Sequence, residues 1–533
     1  MTRKHDNKPK RTSNPAAKVG EKGARRQVRK EAHPVRRGGG SAKRAGAAKR
    51  KGGVPREPLA TGDRSCARCP AFGRCGGCSQ LDVPYEAQLA AKQRAVADLF
   101  ADLAPAETML PILGMKEPFH YRNKVISPYA PAKGKARKSG AARGGAKGKG
   151  ADAQLSRADI LTGMYEAGTH RLIPTDVCAI ENEVAKRVTL AIRDIMARWG
   201  MEPYDEDAGT GFVRHAVVRV GHESGEVLVT VVTNGEEFPS AKAFCRELVR
   251  RVPEVTTIVQ NVNTRQTNVI LGEKERVLYG PGFILDTLCG LSFRISSRSF
   301  YQVNATQTEV LYDEAIRLAN LTGAETVIDA YCGTGTIGLV AAKRGAARVI
   351  GVDAVESAIR DAAGNARHNG VANAEFAAED ATVFMKGIAA SGERPEPLVL
   401  LMDPPRAGST PAFLAAACEL APERIVYISC NPTTQARDVR QLTESGYAVR
   451  AIRPVDMFPH TDHVESIVML EKKSVSSPAA KAERRGDGGR SGRASSAATE
   501  TAQWAVSQSE DCSSESECPA SPTEGELQQK EVR

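Results

Sequence analysis

No run of apolar residues in this 533-residue chain approaches the ~20 that a membrane-spanning helix needs. The amino terminus has no apolar core of the kind a secretory signal requires. Its Lys, Arg and Ala content leaves an organelle transit peptide open, but its acidic residues and glycine clusters argue against one. The expectation is a soluble, cytoplasmic protein with no membrane role. Large apolar residues are scarce in three stretches. Residues 1–57 hold 19 Lys/Arg against 4 Asp/Glu, and residues 131–158 hold 8 against 1. Residues 472–533 are rich in Ser, Ala and Glu. Such stretches bury too little surface to offset the entropy of ordering and are expected to be disordered. They also hold the basicity: the whole chain carries +11, and without these stretches about −10 remains. A mobile polycation attracts polyanions, which points to nucleic acid; a plain solubility segment would have the same composition.

Between these stretches the residue pattern changes character twice. Residues 85–100 have helical apolar spacing, and 118–127 read as a basic strand interleaved with aromatics. The segment 131–158 interrupts β structure that resumes at 160–165, so it is expected to be a long surface loop. A helix over 181–199, a hairpin over 213–220 and 226–232, a helix over 239–252 and strands at 256–263, 267–272 and 283–293 suggest an α+β region with antiparallel sheet. From about residue 305 strands and helices alternate. Strands at 326–330, 349–353, 374–378, 398–403 and 425–428 are interspersed with helices from 338 and over 355–369, 411–420 and 433–444, with none assigned between 378 and 398, and strands at 447–455 and 464–470 close the series. That order calls for a Rossmann-like, doubly wound parallel sheet with an antiparallel final strand. The expected division is a basic arm over 1–60, a central α+β region over 61–290, an α/β domain over 291–471 and a tail over 472–533.

Four segments of the α/β domain carry chemistry. Val327-Ile-Asp-Ala-Tyr-Cys-Gly-Thr-Gly-Thr-Ile-Gly338 is a strand, a glycine turn and a helix start, with Asp329 before the turn and Asp353 at the end of the next strand. An acid in the second position hydrogen-bonds a ribose hydroxyl pair. Asp380 ends the following segment, a third acid in series. Leu398-Val-Leu-Leu-Met-Asp403-Pro-Pro-Arg-Ala-Gly408 runs an apolar strand into an acid, and its two prolines are expected to leave the turn carbonyls free of local donors. Arg424-Ile-Val-Tyr-Ile-Ser-Cys-Asn-Pro432 places Cys430 just past a buried strand, where open parallel sheets bind ligands. Taken alone, that cysteine is equally an inert buried thiol. Val455-Asp-Met-Phe-Pro-His-Thr-Asp-His-Val-Glu-Ser466 sets Glu465 at the start of the last strand, either as a general base or as a solvated strand-end acid. His460 and His463 lack a third ligand for a metal site.

Twelve cysteines in a cytosolic chain suggest a metal site, catalysis or core packing before disulfides. Four of them cluster as Cys66-x2-Cys69-x5-Cys75-x2-Cys78. Zinc is one occupant for such a set, though the five-residue gap is short for two knuckles.

The four chemical segments, taken in order, resemble the bacterial RNA uracil-5-methyltransferases, and especially their ribosomal RNA branch with an iron–sulfur cluster. The resemblance covers roughly residues 64–130 and 159–471. It implies S-adenosylmethionine as methyl donor, held by Gln302, Tyr331, Gly333, Thr336, Asp353, Asp380 and Asp403. It implies Cys430 as nucleophile toward uracil C6 and Glu465 as the base that removes the C5 proton. It implies a [4Fe–4S] cluster on Cys69, Cys75, Cys78 and Cys178, leaving Cys66 spare, and RNA contacts at Arg122 and Phe300. A monomer acting on 23S ribosomal RNA without an obligate protein partner is the implied enzyme; transfer RNA is the second substrate to weigh. Two further activities compete with these: an RNA-binding assembly factor with a silent site, and a methyltransferase acting on a small molecule. The larger relatives carry a β-barrel RNA-binding domain before the cluster, which residues 1–57 cannot form; the basic arm and the 131–158 insertion are expected to supply its charge instead.

Overall fold

The computed structural model describes residues 69–132, 155–392 and 394–473. The basic arm, Cys66, most of the basic insertion and nearly all of the tail lie outside the described residues.

The cysteine-bearing turns lead into α1 (Tyr85–Phe100). The central region then runs β1 (Lys124–Pro131), β2 (Ile160–Tyr165), β3 (Leu172–Pro174), α2 (Glu183–Trp199), β4 (Val213–Val220), β5 (Val227–Thr233), α3 (Ala241–Arg251), β6 (Val255–Val262) and β7 (Lys274–Tyr279). Its seven strands form one sheet in the order β3-β2-β1-β4-β5-β6-β7. β1 and β2 pair up to Pro131 opposite Ile160, and Ala132 N donates to Asp159 O at 3.0 Å. The insertion therefore leaves and re-enters at a closed hairpin end. One face of the sheet is covered by α2 and α3, whose Val188, Ile192, Ile195, Phe244 and Leu248 are buried against Val218, Val229 and Ile258. Burying side chains of this size stabilises by about 1.5–3 kcal/mol each.

Three expectations for this region need correction, the first being that residues 283–293, expected as one strand, belong to two, Phe283–Leu288 and Leu291–Ser296, paired as an antiparallel hairpin. The sheet is not wholly antiparallel, because β5 and β6 run parallel, joined by the α3 crossover. Residues 267–272 are not a strand; the strand lies at β7. The asparagines before the loop hold it instead. Asn263 Nδ2 donates to the carbonyls of Val269 and Ile270 at 2.7 and 2.9 Å, and the Asn261 side chain bonds both N and O of Gly272. Side-chain amides thus satisfy peptide groups that a β ladder would otherwise take.

The hairpin β8 (Phe283–Leu288) and β9 (Leu291–Ser296) leads to α4 (Ala305–Ala319) and the second layered unit: β10 (Thr326–Ala330), α5 (Thr336–Lys343), β11 (Arg348–Asp353), α6 (Glu356–His368), β12 (Ala374–Ala378), α7 (Ala381–Ser391), β13 (Leu398–Met402), α8 (Pro411–Leu420), β14 (Arg424–Ser429), α9 (Pro432–Glu444), β15 (Tyr447–Val455) and β16 (Glu465–Lys472). Strand order is β12-β11-β10-β13-β14-β16-β15, with β10 to β14 parallel and β16 antiparallel to both neighbours. This is the doubly wound sheet with an inverted last strand that the alternation implies. The helix α7 was not evident from its Ala-, Gly- and Met-bearing sequence. Hairpin, α4 and α5 bury Phe293, Leu311 and Leu339 on one face; α8, α9 and the distant α1 bury Phe413, Val439, Val96 and Phe100 on the other. The segment that follows the cysteines is therefore part of this core.

Candidate active site at the carboxyl edge of the parallel sheet

The registers place the chemical residues along one edge. Ala330 of β10 lies level with Val352 of β11 and Met402 of β13. The next residues outward, Tyr331, Asp353 and Asp403, therefore emerge side by side. Met402 is level with Tyr427 of β14, so Cys430 leaves the same edge slightly further out. β16 runs the opposite way and pairs Ser466 with Ser429. One step along the chain beyond that pair stand Glu465 on one strand and Cys430 on the other. Glu465 is buried and Cys430 half-buried.

The glycine loop is held by acids from below. Gly338 N donates to Asp329 Oδ2 at 2.9 Å, and Gly333 N to Asp353 Oδ2 at 3.0 Å. Val355 N adds a 2.8 Å bond to the other oxygen of Asp353. The acid expected to bind a ribose thus also pins the loop. Gly333 takes φ +54°, with open space where a Cβ would stand, so a ligand can approach the backbone there. Tyr331 has φ +65° and packs on Phe413 at 5.1 Å between ring centroids. Strain of that kind concentrates at functional sites. Thr336 opens α5 and bonds Tyr312 through their hydroxyls at 2.9 Å. Burial pushes Asp329 up to about 8, Gly338 N–H opposes this, and the negative charges of Asp403 and Asp353 add to it. Three carboxyl groups therefore crowd one end of the sheet, and burial shifts Asp329 toward its protonated form. Asp380 is exposed and caps α7 through Thr382 N and Val383 N at 2.9 and 3.1 Å.

The two motifs flanking Cys430 are bonded to each other. Arg406 O accepts from Asn431 Nδ2 at 3.0 Å and from Thr434 Oγ1 at 3.1 Å. Pro405 O accepts from Gly408 N at 2.8 Å. The Pro405 carbonyl, expected to be free of local donors, therefore has one, while the Arg406 carbonyl ties the Asp403 turn to the Cys430 turn. Pro432 occupies the first position of α9, where its missing N–H costs nothing. The positive end of that helix lies beside Cys430 and favours an anion there.

Gln302 and Phe300 lie on a segment held by both layers. Asn123 Nδ2 donates to Gln302 O at 3.1 Å and Asn123 N to Val303 O at 2.8 Å. Arg219 Nη2 reaches Ser299 O at 2.6 Å, and Asn304 Nδ2 reaches Met457 O at 3.0 Å. Arg122, next to Asn123, exchanges backbone bonds with Ile180 and Asn182. Its charge, with that of Arg406 and Lys92, helps hold His463 below its ordinary value, burial being the larger cause. Arg406 Nη2 lies 3.5 Å from His463 Nδ1. Arg122 thus belongs to the cationic surroundings of the segment that ends in Glu465.

Cys69, Cys75, Cys78 and Cys178 line one pocket with Phe72, Leu81 and Met164. Burial pushes Cys78 up to about 12, with Cys178, Cys75 and Cys69 adding to it, and pushes Cys178 to about 12 with help from Glu181. Burial thus holds Cys78 and Cys178 toward the thiol form. Among the described residues no group of three or more His, Cys, Asp or Glu is arranged to hold a metal ion.

This cysteine segment is bonded to the segment that carries the base. Ser79 N and Gln80 N both donate to His460 O at 3.0 Å, and His460 N donates to Gln88 Oε1 at 2.9 Å. Tyr121 Oη reaches Pro459 O at 3.0 Å. His460 stacks on Phe119 at 4.7 Å, a packing role and not a ligand role. Of the residues around Cys430, sequence reasoning missed Gln435, Asn431 and Thr434; a polar residue early in a helix gives no sign of which way it faces.

Comparison with known proteins agrees with this geometry. The family model for tRNA (uracil-5-)-methyltransferases matches residues 272–473. A protein of Halalkalibacterium halodurans described as an uncharacterized RNA methyltransferase is 43% identical over 417 residues, 78% of this chain and 85% of that one. A second, from Enterococcus faecalis, is 41% identical over 404 residues, 75% of this chain and 82% of that one. The crystal structure of Pyrococcus abyssi tRNA (uracil-54, C5)-methyltransferase with S-adenosyl-L-homocysteine matches with a TM-score of 0.58 and 25% identity, over 75% of this chain and 86% of that one. With a relative this similar over most of both chains, and with the glycine loop, the Asp403 turn and Cys430 on one sheet edge, the chain belongs to the S-adenosylmethionine-dependent RNA uracil-5-methyltransferases.

Proposed function

We propose that this chain forms 5-methyluridine in 23S ribosomal RNA through a covalent bond between Cys430 and uracil C6. The observation that carries the reading is the register of β14 and β16, which sets Glu465 opposite Cys430 at the edge where Asp403 and the glycine loop meet. Uracil C5 is too weak a nucleophile to accept a methyl group unaided. Addition of the Cys430 thiolate to C6 makes an enolate, whose C5 then takes the methyl group. Glu465 removes the C5 proton, the C5–C6 double bond re-forms and the thiolate leaves. S-adenosylmethionine supplies the methyl group. Tyr331, Gly333, Thr336, Asp353 and Asp380 are assigned to hold it together with Gln302, and Asp403 to hold the base beside it. Arg122 and Phe300 are assigned to the RNA, Phe300 as a stacking surface for an unstacked base.

Four cysteines lining one pocket, Cys178 buried and Cys69, Cys75 and Cys78 partly so, support a [4Fe–4S] cluster, which takes one thiolate on each iron. Bound there, the cluster would brace the cysteine turns. It also favours ribosomal over transfer RNA, because the resemblance is to the cluster-bearing ribosomal branch. Transfer RNA is the second reading, favoured by the description of the matching family and by the substrate of the P. abyssi enzyme.

The test is mass spectrometry of the protein mixed with labelled S-adenosylmethionine and RNA containing 5-fluorouracil, whose fluorine cannot leave as a proton does. The expected product is an adduct on Cys430 with ribosomal RNA, absent in Cys430→Ala. An adduct formed only with transfer RNA moves the substrate to the second reading. No adduct with either RNA, despite bound cofactor, overturns the covalent mechanism.

A further inference from the structure

Gln435 is fully buried in the first turns of α9. Its Nε2 donates to Tyr427 O at 2.8 Å and to Ser466 O at 3.2 Å, while its Oε1 accepts from Ser466 Oγ at 2.5 Å. Tyr427 belongs to β14 and Ser466 to β16. One amide therefore spans the two strands and uses both its donor and acceptor ends. Its contact on β16 is the residue next to Glu465. Its own helix starts two residues after Cys430, and Ser429 Oγ, which accepts from Asn431 N at 3.1 Å, closes the intervening turn. No other side-chain amide among the described residues is bonded to both strands.

We propose that Gln435 is a positioning residue that sets Glu465 relative to Cys430 and so governs release of the product more than methyl transfer. The inference rests on the roles proposed above for those two residues. Methyl transfer needs the Cys430–C6 bond and an aligned methyl donor, and does not use the base. Release does: the C5 proton passes to the Glu465 carboxylate, its bonding pair becomes the C5–C6 π bond, and the C6–S pair departs with Cys430. A base must stand within hydrogen-bond reach of the proton it takes. Displacement of such a group by about 1 Å costs on the order of a hundredfold in rate. Tyr427 and Ser466 give Gln435 no route to the methyl donor, so the earlier step is spared.

The experiment uses the full chain, unmodified ribosomal RNA transcript and methyl-labelled S-adenosylmethionine, with wild type, Gln435→Met and Ser466→Ala. Acid-quenched samples are read for label in free RNA and label in covalent protein–RNA. The expected result is a near-normal single-turnover rate of methyl transfer with covalent methylated complex increased by about tenfold or more, a share of what a general base contributes. Ser466→Ala removes one hydroxyl and carries the test where Gln435→Met does not fold. Transfer and release falling together, with no accumulated complex, overturns the proposal. Wild type that fails to trap 5-fluorouracil RNA on Cys430 overturns the underlying mechanism. Normal trapping with no accumulation in the variants overturns the role of Gln435 alone.

Discussion

Lys92 and Asp456 form a buried ion pair, Nζ to Oδ1 2.6 Å, that fastens α1 to the segment leading into Glu465. Tyr85 Oη donates to the second oxygen of Asp456 at 2.9 Å, and Lys92 also reaches Phe458 O at 3.1 Å. Breaking one side of such a pair leaves a charge buried without its counterion. Lys92→Met should therefore lose about 3–5 kcal/mol of stability. Equilibrium unfolding in urea measures this, and a loss below about 1 kcal/mol, the worth of an exposed pair, would contradict the buried arrangement.

Asp329 gives the protein a specific pH dependence. Its folded value, about 8, lies above that of an unfolded aspartate. A raised folded value means the native state holds a proton that the unfolded state has lost. The stability from this group is complete below about pH 4 and is lost as pH rises through about 8, with a slope of up to ~1.4 kcal/mol per pH unit. Asp329→Asn keeps an acceptor for Gly338 N and removes the titration. Its melting temperature relative to wild type should rise steadily from pH 5 to pH 8; a flat difference would show that Asp329 is ionised.

Gly408 is confined by its neighbours. It has φ +79°, and a Cβ would stand 2.6 Å from Arg437 Nη2 and from Asp438 Oδ2. Asp438 is buried and accepts from Ser409 N at 2.8 Å and Tyr427 Oη at 2.7 Å. Gly408→Ala should cost about 1–3 kcal/mol in backbone strain and shift the turn that holds Asp403. Unfolding free energy and methyl transfer should fall together.

The cysteine pocket predicts a metal content. Protein purified without oxygen should carry about four iron and four sulfide per chain, the composition of a cubane cluster. Cys78→Ala should lose both together with visible absorbance. One zinc per chain and no sulfide would rule the cluster out.

The basic segments predict a salt response. Deleting residues 1–57 and 133–154 should reduce the slope of log affinity for RNA against log salt, because fewer phosphates are neutralised. A slope that stays as steep after both deletions would remove their proposed part in binding.

The elements of the parallel sheet were legible because apolar runs ended abruptly in glycine, proline or an acid. Asp353, Asp403 and Cys430 each follow such a run, and the fold sets them on one edge. Glu465 was legible as a strand start, but its position opposite Cys430 depends on the insertion of β16 between β14 and β15, which no local pattern encodes. The mistaken strand at 267–272 has the same origin: Asn261 and Asn263 compete for its peptide groups from outside the window in which periodicity is read. Gln435 was invisible because its helix is polar overall, and only packing reveals which face is inward. The link from Ser79 and Gln80 to His460 joins positions some 380 residues apart and is a property of the folded chain alone.

The place of β16 in the middle of its half of the sheet has a consequence for synthesis. Chains emerge from the amino end and fold by units as they appear. β14, with Cys430 at its tip, is made before β15, yet the two are not neighbours in the finished sheet. The gap between them is filled only when residues 465–472 are available. Until then the strand that carries Glu465 is missing beside Cys430, so a chain cut short before the last strand lacks one of the two residues proposed to carry the reaction.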